Sequence, residues 1–232
     1  MLVTLAKTKA LEFFRYNFQP RFESLHAEQI FQGLFNQQCL NHQIKNDFYP
    51  VGAAANYGLM YLIVRILKEL PVQNIVELGS GQSTILIDRI KDSTCTHTAY
   101  ESNALWAGIL RSRLTACDYR ERPLCKLRHG DVSYQGYDTV DMQDFDFLLV
   151  DGPNGTDRHS RFGCVPLIEN NQNDEFIVVA DDAERPGEQE TIRCIADCLA
   201  KKGIDFKLNY VAGRTTQAVI TTPKYRAASY FF

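Results

Sequence analysis

Six acidic residues stand at the ends of stretches that read as strands: Glu77, Glu101, Asp131, Asp151 and the adjacent pair Asp181 and Asp182. Around the first of them the chain reads NIVELGSGQST over residues 74–84, with Gly79 and Gly81 on either side of Ser80. Glycine lets a backbone come close to a ligand. Carboxylates gathered along one edge of a sheet are costly unless a cation or hydrogen-bond donors compensate them. The chemistry implied is that of an anionic rim closing on a positively charged or donor-rich guest.

The elements that must carry these residues alternate. AAANYGLMYLIVRILKEL has helical spacing and Pro71 ends it; NIVELG follows as a buried strand. STILIDRIK predicts a helix, THTAYES a strand, ALWAGILRSRLTAC a helix and CKLRHGD a third strand. FDFLLVDG and DEFIVVADD are continuous apolar runs, the mark of central strands covered on both faces. GEQETIRCIADCLAKKG predicts a helix stopped by Gly203, and DFKLNYVAG with TTQAVITTP predicts a terminal antiparallel hairpin. The expected fold is therefore α/β, a Rossmann-like, mostly parallel sheet of seven strands with helices on both faces and a C-terminal hairpin. In such sheets ligands lie beyond the carboxyl ends of the strands, where the strand order reverses. Residues 1–49, rich in aromatics and glutamine, form a helical appendage with three open roles: lid, homodimer contact or packing on the core. Residues 50–232 form the ligand-binding domain.

Two guests suit a glycine turn of this kind. A dinucleotide such as NAD, in an oxidoreductase, needs G-x-G-x-x-G, with an acid about 20 residues on for a ribose. Glu101 has that spacing, but Thr84 stands where the third glycine belongs, and Glu77 is a poor neighbour for two phosphates. A cationic cofactor suits the acid. VELGSGQST, YES and RHGD resemble the successive cofactor motifs of class I S-adenosylmethionine-dependent methyltransferases, over residues 50–223. That resemblance implies that Glu77, Gly79, Ser80 and Gly81 lie against the methionine part of the cofactor, Glu101 holds the ribose hydroxyls and Asp131 meets the adenine amino group. Asn56 and Tyr57, just ahead of the first long helix, are further candidates for the cofactor carboxylate or the sulfonium.

The acceptor side resembles catechol-type and, more closely, macrolide-sugar O-methyltransferases. There an acid after the fourth strand and an acid pair after the fifth bind a divalent metal, and here Asp151, Asp181 and Asp182 would supply ligands for Mg2+. Magnesium favours such oxygen donors. The last ligand of the catechol-type enzymes is usually Asn, which Asp182 replaces. Without a metal, Asp151 orients the acceptor and a side chain must take its proton. His159, in the polar loop NGTDRHSRFG, is the candidate base, and Arg158 and Arg161 are candidates for gripping an anionic acceptor. DGPN lacks the second proline and the aromatic of the N-methylating Asp/Asn-Pro-Pro-aromatic motif. The implied activity is O-methylation of a small molecule or sugar; a non-catalytic protein that only binds the cofactor is the alternative.

Composition sets the remaining bounds. A net charge of -3 implies no polyanion partner, and the basic run RSRLTACDYRERPLCKLR is interrupted by acids and lacks a stacking platform, which speaks against nucleic acid. No apolar run approaches the ~20 residues of a membrane span. MLVTLAKTKALEFF has lysines within its apolar stretch and no cleavage site, so no signal peptide is expected and the protein should be cytoplasmic. Seven cysteines with no C-x-x-C pair fit reduced thiols, not zinc ligands or disulfides.

Overall fold

The computed structural model describes residues 19–50, 52, 54–141 and 143–230. The stretch on which the absence of a signal peptide was judged lies outside the described residues. Helix α1 spans Gln19–Asn41 and α2 Tyr57–Glu69; then come β1 (Asn74–Leu78), α3 (Gln82–Ile90), β2 (Thr96–Glu101) and α4 (Ala104–Arg111). Three strands follow, β3 (Asp118–Glu121), β4 (Leu124–His129) and β5 (Val132–Tyr137). The second half holds β6 (Phe147–Val150), α5 (Cys164–Asn170), β7 (Ile177–Ala180), α6 (Pro186–Lys202), β8 (Lys207–Ala212), β9 (Thr216–Thr221) and a 3-10 turn, Pro223–Tyr230.

Seven strands form one sheet in the order β3-β2-β1-β6-β7-β9-β8. The first five in that order run parallel, and β9 is antiparallel to both β7 and β8. The order reverses between β1 and β6, so the crevice at their carboxyl ends is where a ligand is expected.

The alternation of side chains along the strands divides the core in two. Ile75, Leu149, Val179 and Val219 face α2 and α3, with Leu59, Ile63, Ile66 and Leu86 packed on them. Val76, Leu148, Val150 and Val178 face the other way, onto α5 and α6 through Cys164, Ile168, Ile192 and Ile195. Each such side chain, when fully buried, contributes about 1.5–3 kcal/mol relative to exposure. Local signals agree with this packing. The Asn56 side chain caps α2 by accepting from Leu59 N at 2.7 Å. Gly203 ends α6 in a left-handed conformation, φ 70°.

One strand differs from expectation. The third strand of the main sheet is DYRE, and CKLRHGD instead pairs with β5 as a separate antiparallel two-stranded sheet. Helix α4 stops at Arg111, and the Asp88 carboxylate captures the backbone N–H groups of Thr115 and Ala116, at 2.6 and 3.0 Å, turning the chain into the edge strand. An edge strand paired on one side tolerates charged residues, which is why its sequence lacks an apolar run.

The described part of the N-terminal segment shares the core of the domain. Phe35 is fully buried between Phe48 and Tyr57, with ring centroids 6.0 and 5.9 Å away. Glu28 accepts from Tyr57 N at 2.6 Å and from Arg214 N at 3.1 Å, tying α1 to the β8–β9 turn. No described helix is long and apolar enough to cross a membrane.

Candidate active site

The crevice is set by two glycines. Gly79, just after β1, has φ +89°, and a Cβ there would lie 2.6 Å from the carbonyl carbon of Asp151. A Cβ on Gly152 would lie 2.4 Å from the Gly79 Cα. Both distances are shorter than non-bonded atoms accept, so the two loops meet backbone to backbone only because neither residue has a side chain. Gly81 differs. Its backbone is extended at φ -178°, and a Cβ there would meet nothing within 4 Å.

Above this contact lies a cavity of about 510 Å³ whose walls include Gly79, Ser80, Gly81, Glu101, Trp106 and Asp151. Glu101 ends β2 and has a dense set of donors. Its Oε1 accepts from the backbone N–H groups of Ser102 and Asn103, each at 2.7 Å, and its Oε2 from the Ser80 hydroxyl at 2.7 Å. Such bonds fix the direction of the carboxylate. The Trp106 indole donates to Ser80 O at 2.9 Å, and Asn103 caps α4 by accepting from Trp106 N at 3.1 Å. Tyr137, 4% exposed, also lines the cavity, and its hydroxyl has no hydrogen-bond partner among the described residues.

Of the candidates from the sequence, Gly79, Ser80, Gly81, Glu101 and Asp151 share this cavity. Others do not. Glu77 is wholly buried beneath the turn, where it accepts from Ser83 Oγ at 2.6 Å and pairs with His97 Nε2 at 3.0 Å; it is not part of the cavity wall. It braces the turn from below. Asp131 sits at the tip of the β4–β5 hairpin, fully exposed, with Arg128 3.6 Å away. Asp131, expected to meet the adenine amino group, thus stands at a hairpin tip outside this cavity, because a Gly-Asp pair serves a turn as well as a strand end. Asn56 spends its amide on Leu59 N and on Thr215 Oγ1, the latter at 2.6 Å. Tyr57 packs on Phe35 and accepts from Gln32 at 3.3 Å. Neither borders the cavity.

The acceptor side brings the three expected acids together and adds a buried arginine to them. One carboxylate oxygen from each of Asp151, Asp181 and Asp182 lies within 4.8 Å of the others, a donor set of the kind a divalent ion uses. The Arg161 guanidinium already reaches this group: its Nη2 is 2.7 Å from Asp182 Oδ2 and 3.5 Å from Asp151 Oδ1. Arg161 is buried and so is not a surface grip for a diffusing anion. Asp181 Oδ1 accepts from Thr215 Oγ1 and Gln217 Nε2, both at 2.7 Å. Burial first, then the Asp181 charge, pushes Asp151 well above the ordinary carboxylate range; the same two causes, in the same order, raise Asp182. Burial works against the Arg161 charge, but the surrounding carboxylates outweigh it and keep the guanidinium protonated.

His159 and Arg158 face elsewhere. Arg158 pairs with Glu190 at 2.5 Å on the surface, and the His159 ring lies edge-on to Phe162 with Nδ1 3.7 Å from Glu190. His159 is not among the cavity residues, so the loop does not present it as a base there. His159, Arg161 and Asp182 all hold positive φ, 47°, 55° and 60°. Left-handed backbone at a residue other than glycine costs of order 1 kcal/mol or more and persists only where surrounding contacts fix it. Trp106 and Tyr137 had no place in the sequence reading, though the chain's single tryptophan, three residues beyond a capping Asn, was a signal for the first.

No protein-family model matches the chain, and no curated protein matches its sequence. Solved structures do match its fold. The O-methyltransferase TomG from Streptomyces achromogenes, involved in tomaymycin synthesis and solved with SAM, aligns with a TM-score of 0.51 at 14% identity, covering 86% of this chain and 97% of that one. The precorrin-6y C5,15-methyltransferase from Geobacter metallireducens aligns with a TM-score of 0.51 at 11% identity, covering 77% and 96%. At such identities the likeness is one of architecture. The chain has the class I S-adenosylmethionine-dependent methyltransferase fold, with its seven-stranded sheet and closing antiparallel pair.

Proposed function

We propose that the protein is an S-adenosylmethionine-dependent O-methyltransferase acting on a hydroxyl of a small molecule or sugar. The observation that carries this reading is the cavity over the Gly79–Gly152 contact, with Glu101 on one side of β1 and Asp151 on the other. Strands lie about 4.8 Å apart, so acids on the two neighbours of β1 stand roughly 10 Å from each other, a span suited to an elongated nucleoside. Glu101, held by Ser80, Ser102 and Asn103, is set to accept from ribose hydroxyls. Trp106 offers an aromatic face beside it, and the turn from Gly79 to Gly81 lets backbone approach the methionine part.

When bound, S-adenosylmethionine supplies a methyl group on a sulfonium, and the departing sulfur keeps the bonding pair. Asp151 faces that end of the cavity. Its part is to orient the acceptor hydroxyl and take its proton as the new oxygen–carbon bond forms, leaving a neutral sulfur and an ether. A carboxyl pushed up by burial is a stronger base than an ordinary one. Holding the acceptor in line contributes through orientation. Asp151, Asp181 and Asp182 would be the ligands of a Mg2+ ion, which would polarise the acceptor oxygen; the Arg161 contacts fit those donors poorly to a metal. The chain's seven cysteines are free thiols, which supports a cytoplasmic setting.

Calorimetric titration tests the reading. S-adenosylmethionine should bind in the micromolar range while NAD does not, and a panel of hydroxylated sugars and phenols should include one that accepts labelled methyl. Binding of NAD alone would overturn the reading.

A further inference from the structure

We infer that the Arg161 guanidinium is the resident cation of the acidic cluster, standing where a divalent ion would bridge Asp151 and Asp182, so that the site takes up no metal. This deepens the functional reading above and rests on it for the role of Asp151.

All three guanidinium nitrogens of Arg161 donate hydrogen bonds. Its Nε donates to Pro153 O at 3.2 Å, its Nη1 to Asp181 O at 3.0 Å and its Nη2 to Asp182 Oδ2 at 2.7 Å. A planar fork that never deprotonates suits two carbonyls and two carboxylates converging from separate strand ends. Asp182 is bracketed: Oδ2 meets Arg161, and Oδ1 meets Arg185 Nη2 at 2.8 Å. Asp181 has its Oδ1 committed to Thr215 and Gln217. An ion bound by these oxygens at about 2.1 Å would have to displace the guanidinium. The displaced arginine would leave the carbonyls of Pro153 and Asp181 unpaired in a buried place, a cost that opposes the exchange.

The backbone agrees with the side chains. Arg161 and Asp182 both adopt left-handed conformations, and their side chains meet at 2.7 Å. What remains open is Asp151, whose side chain is 19% exposed and borders the cavity. Arg161 is thus a positioning residue for Asp151: it lends the positive charge that a metal supplies elsewhere and leaves one carboxylate oxygen free for the acceptor.

Uptake of Mn2+, followed by loss of the free-ion signal in electron paramagnetic resonance, tests this on the full-length protein with and without S-adenosylmethionine. Wild type should leave the signal unchanged, as should Arg161→Lys. Arg161→Met, which removes the cation, should bind Mn2+ about a hundredfold or more tightly than wild type, because each unit charge near the carboxylates carries a large electrostatic interaction. Wild-type uptake that Asp182→Asn abolishes would overturn the inference; uptake that survives Asp182→Asn lies outside the cluster and leaves the cluster metal-free, as inferred. Should Arg161→Met fail to fold, the wild-type and Asp182→Asn measurements decide. Calorimetry with S-adenosylmethionine on the same samples keeps the two questions apart, since lost cofactor binding sinks the functional reading and wild-type Mn2+ uptake that Asp182→Asn abolishes sinks the metal-free one.

Discussion

Gly79 and Gly152 touch through their backbones, with room for a side chain on neither. The contact joins β1 to β6 at the reversal of the sheet, while Gly81, two residues on, has open space where its Cβ would be. The two glycines of one motif therefore have separable roles. Gly79→Ala should destabilise the fold by about 2–4 kcal/mol through positive φ and overlap, lowering Tm by roughly 5 °C or more. Gly81→Val should leave Tm within about 2 °C of wild type, since a Cβ there overlaps no neighbouring atom. It should weaken S-adenosylmethionine binding at least tenfold by occupying about a methyl group or two of the site. Thermal melts and calorimetry on both variants check this. Equal loss of stability in the two would show that the motif is purely structural.

Trp106 gives a direct optical readout. It is the chain's only tryptophan, and it is 39% exposed on the cavity wall with its indole N–H on Ser80 O. S-adenosylmethionine should change its fluorescence saturably, with the same midpoint as the calorimetric titration. NAD at the same concentration should not. Trp106→Ala should weaken cofactor binding about tenfold, the scale of one lost aromatic contact of 0.5–1.5 kcal/mol, with little change in Tm.

The sheet was legible where burial is two-sided. FDFLLV and FIVVA can only be central strands, and both are fully covered. The edge strand DYRE was not legible, because pairing with β2 and the Asp88 turn, both distant in sequence, decide it. Glu101 and Asp151 line the cavity because an acid after a buried strand of the main sheet faces its carboxyl edge. Asp131 lies away from that edge because its strand belongs to another sheet. Arg161 was read as a grip for an anionic acceptor, and its place among the acids was not legible for a physical reason: an arginine in a polar loop is normally solvated, and its burial follows from acids that β6 and β7 bring together across the fold.

Glu101 holds four donor contacts, three from backbone, and a ribose would exchange with the Ser80 hydroxyl at Oε2. Glu101→Gln keeps the shape but loses the charge and half of the acceptor capacity. A hydrogen bond to a charged group contributes about 1.5–3 kcal/mol, so S-adenosylmethionine affinity should fall roughly ten- to a hundredfold. Ser80→Ala should change affinity little, because it removes a donor that the ribose replaces. Calorimetry on the pair separates ligand recognition from bracing of the turn; an equal loss in both variants would assign Glu101 to the turn alone.

The raised carboxyl of Asp151 fixes the sign of a pH effect. The ordinary value for Asp is 3.8, and burial with Asp181 nearby lifts the folded-state value well above it. Between the two values the folded protein binds a proton that the unfolded chain does not. Stability from this group is full below about 3.8 and is lost as pH rises through the folded value, the reverse of an ordinary ion-paired carboxylate. Asp182, lifted by the same causes, adds in the same direction. Asp151→Asn should remove its share, so the variant should gain stability over wild type as pH rises from the acid side toward neutrality and beyond. Methyl transfer should move oppositely, since a base must be unprotonated: wild-type kcat/KM should rise with pH through the same window, and Asp151→Asn should lose transfer by about a hundredfold or more. Denaturant unfolding across pH, read beside the rate profile, checks both. A stability difference between Asp151→Asn and wild type that does not change with pH would show that Asp151 is ionised throughout and would remove it as the proton acceptor.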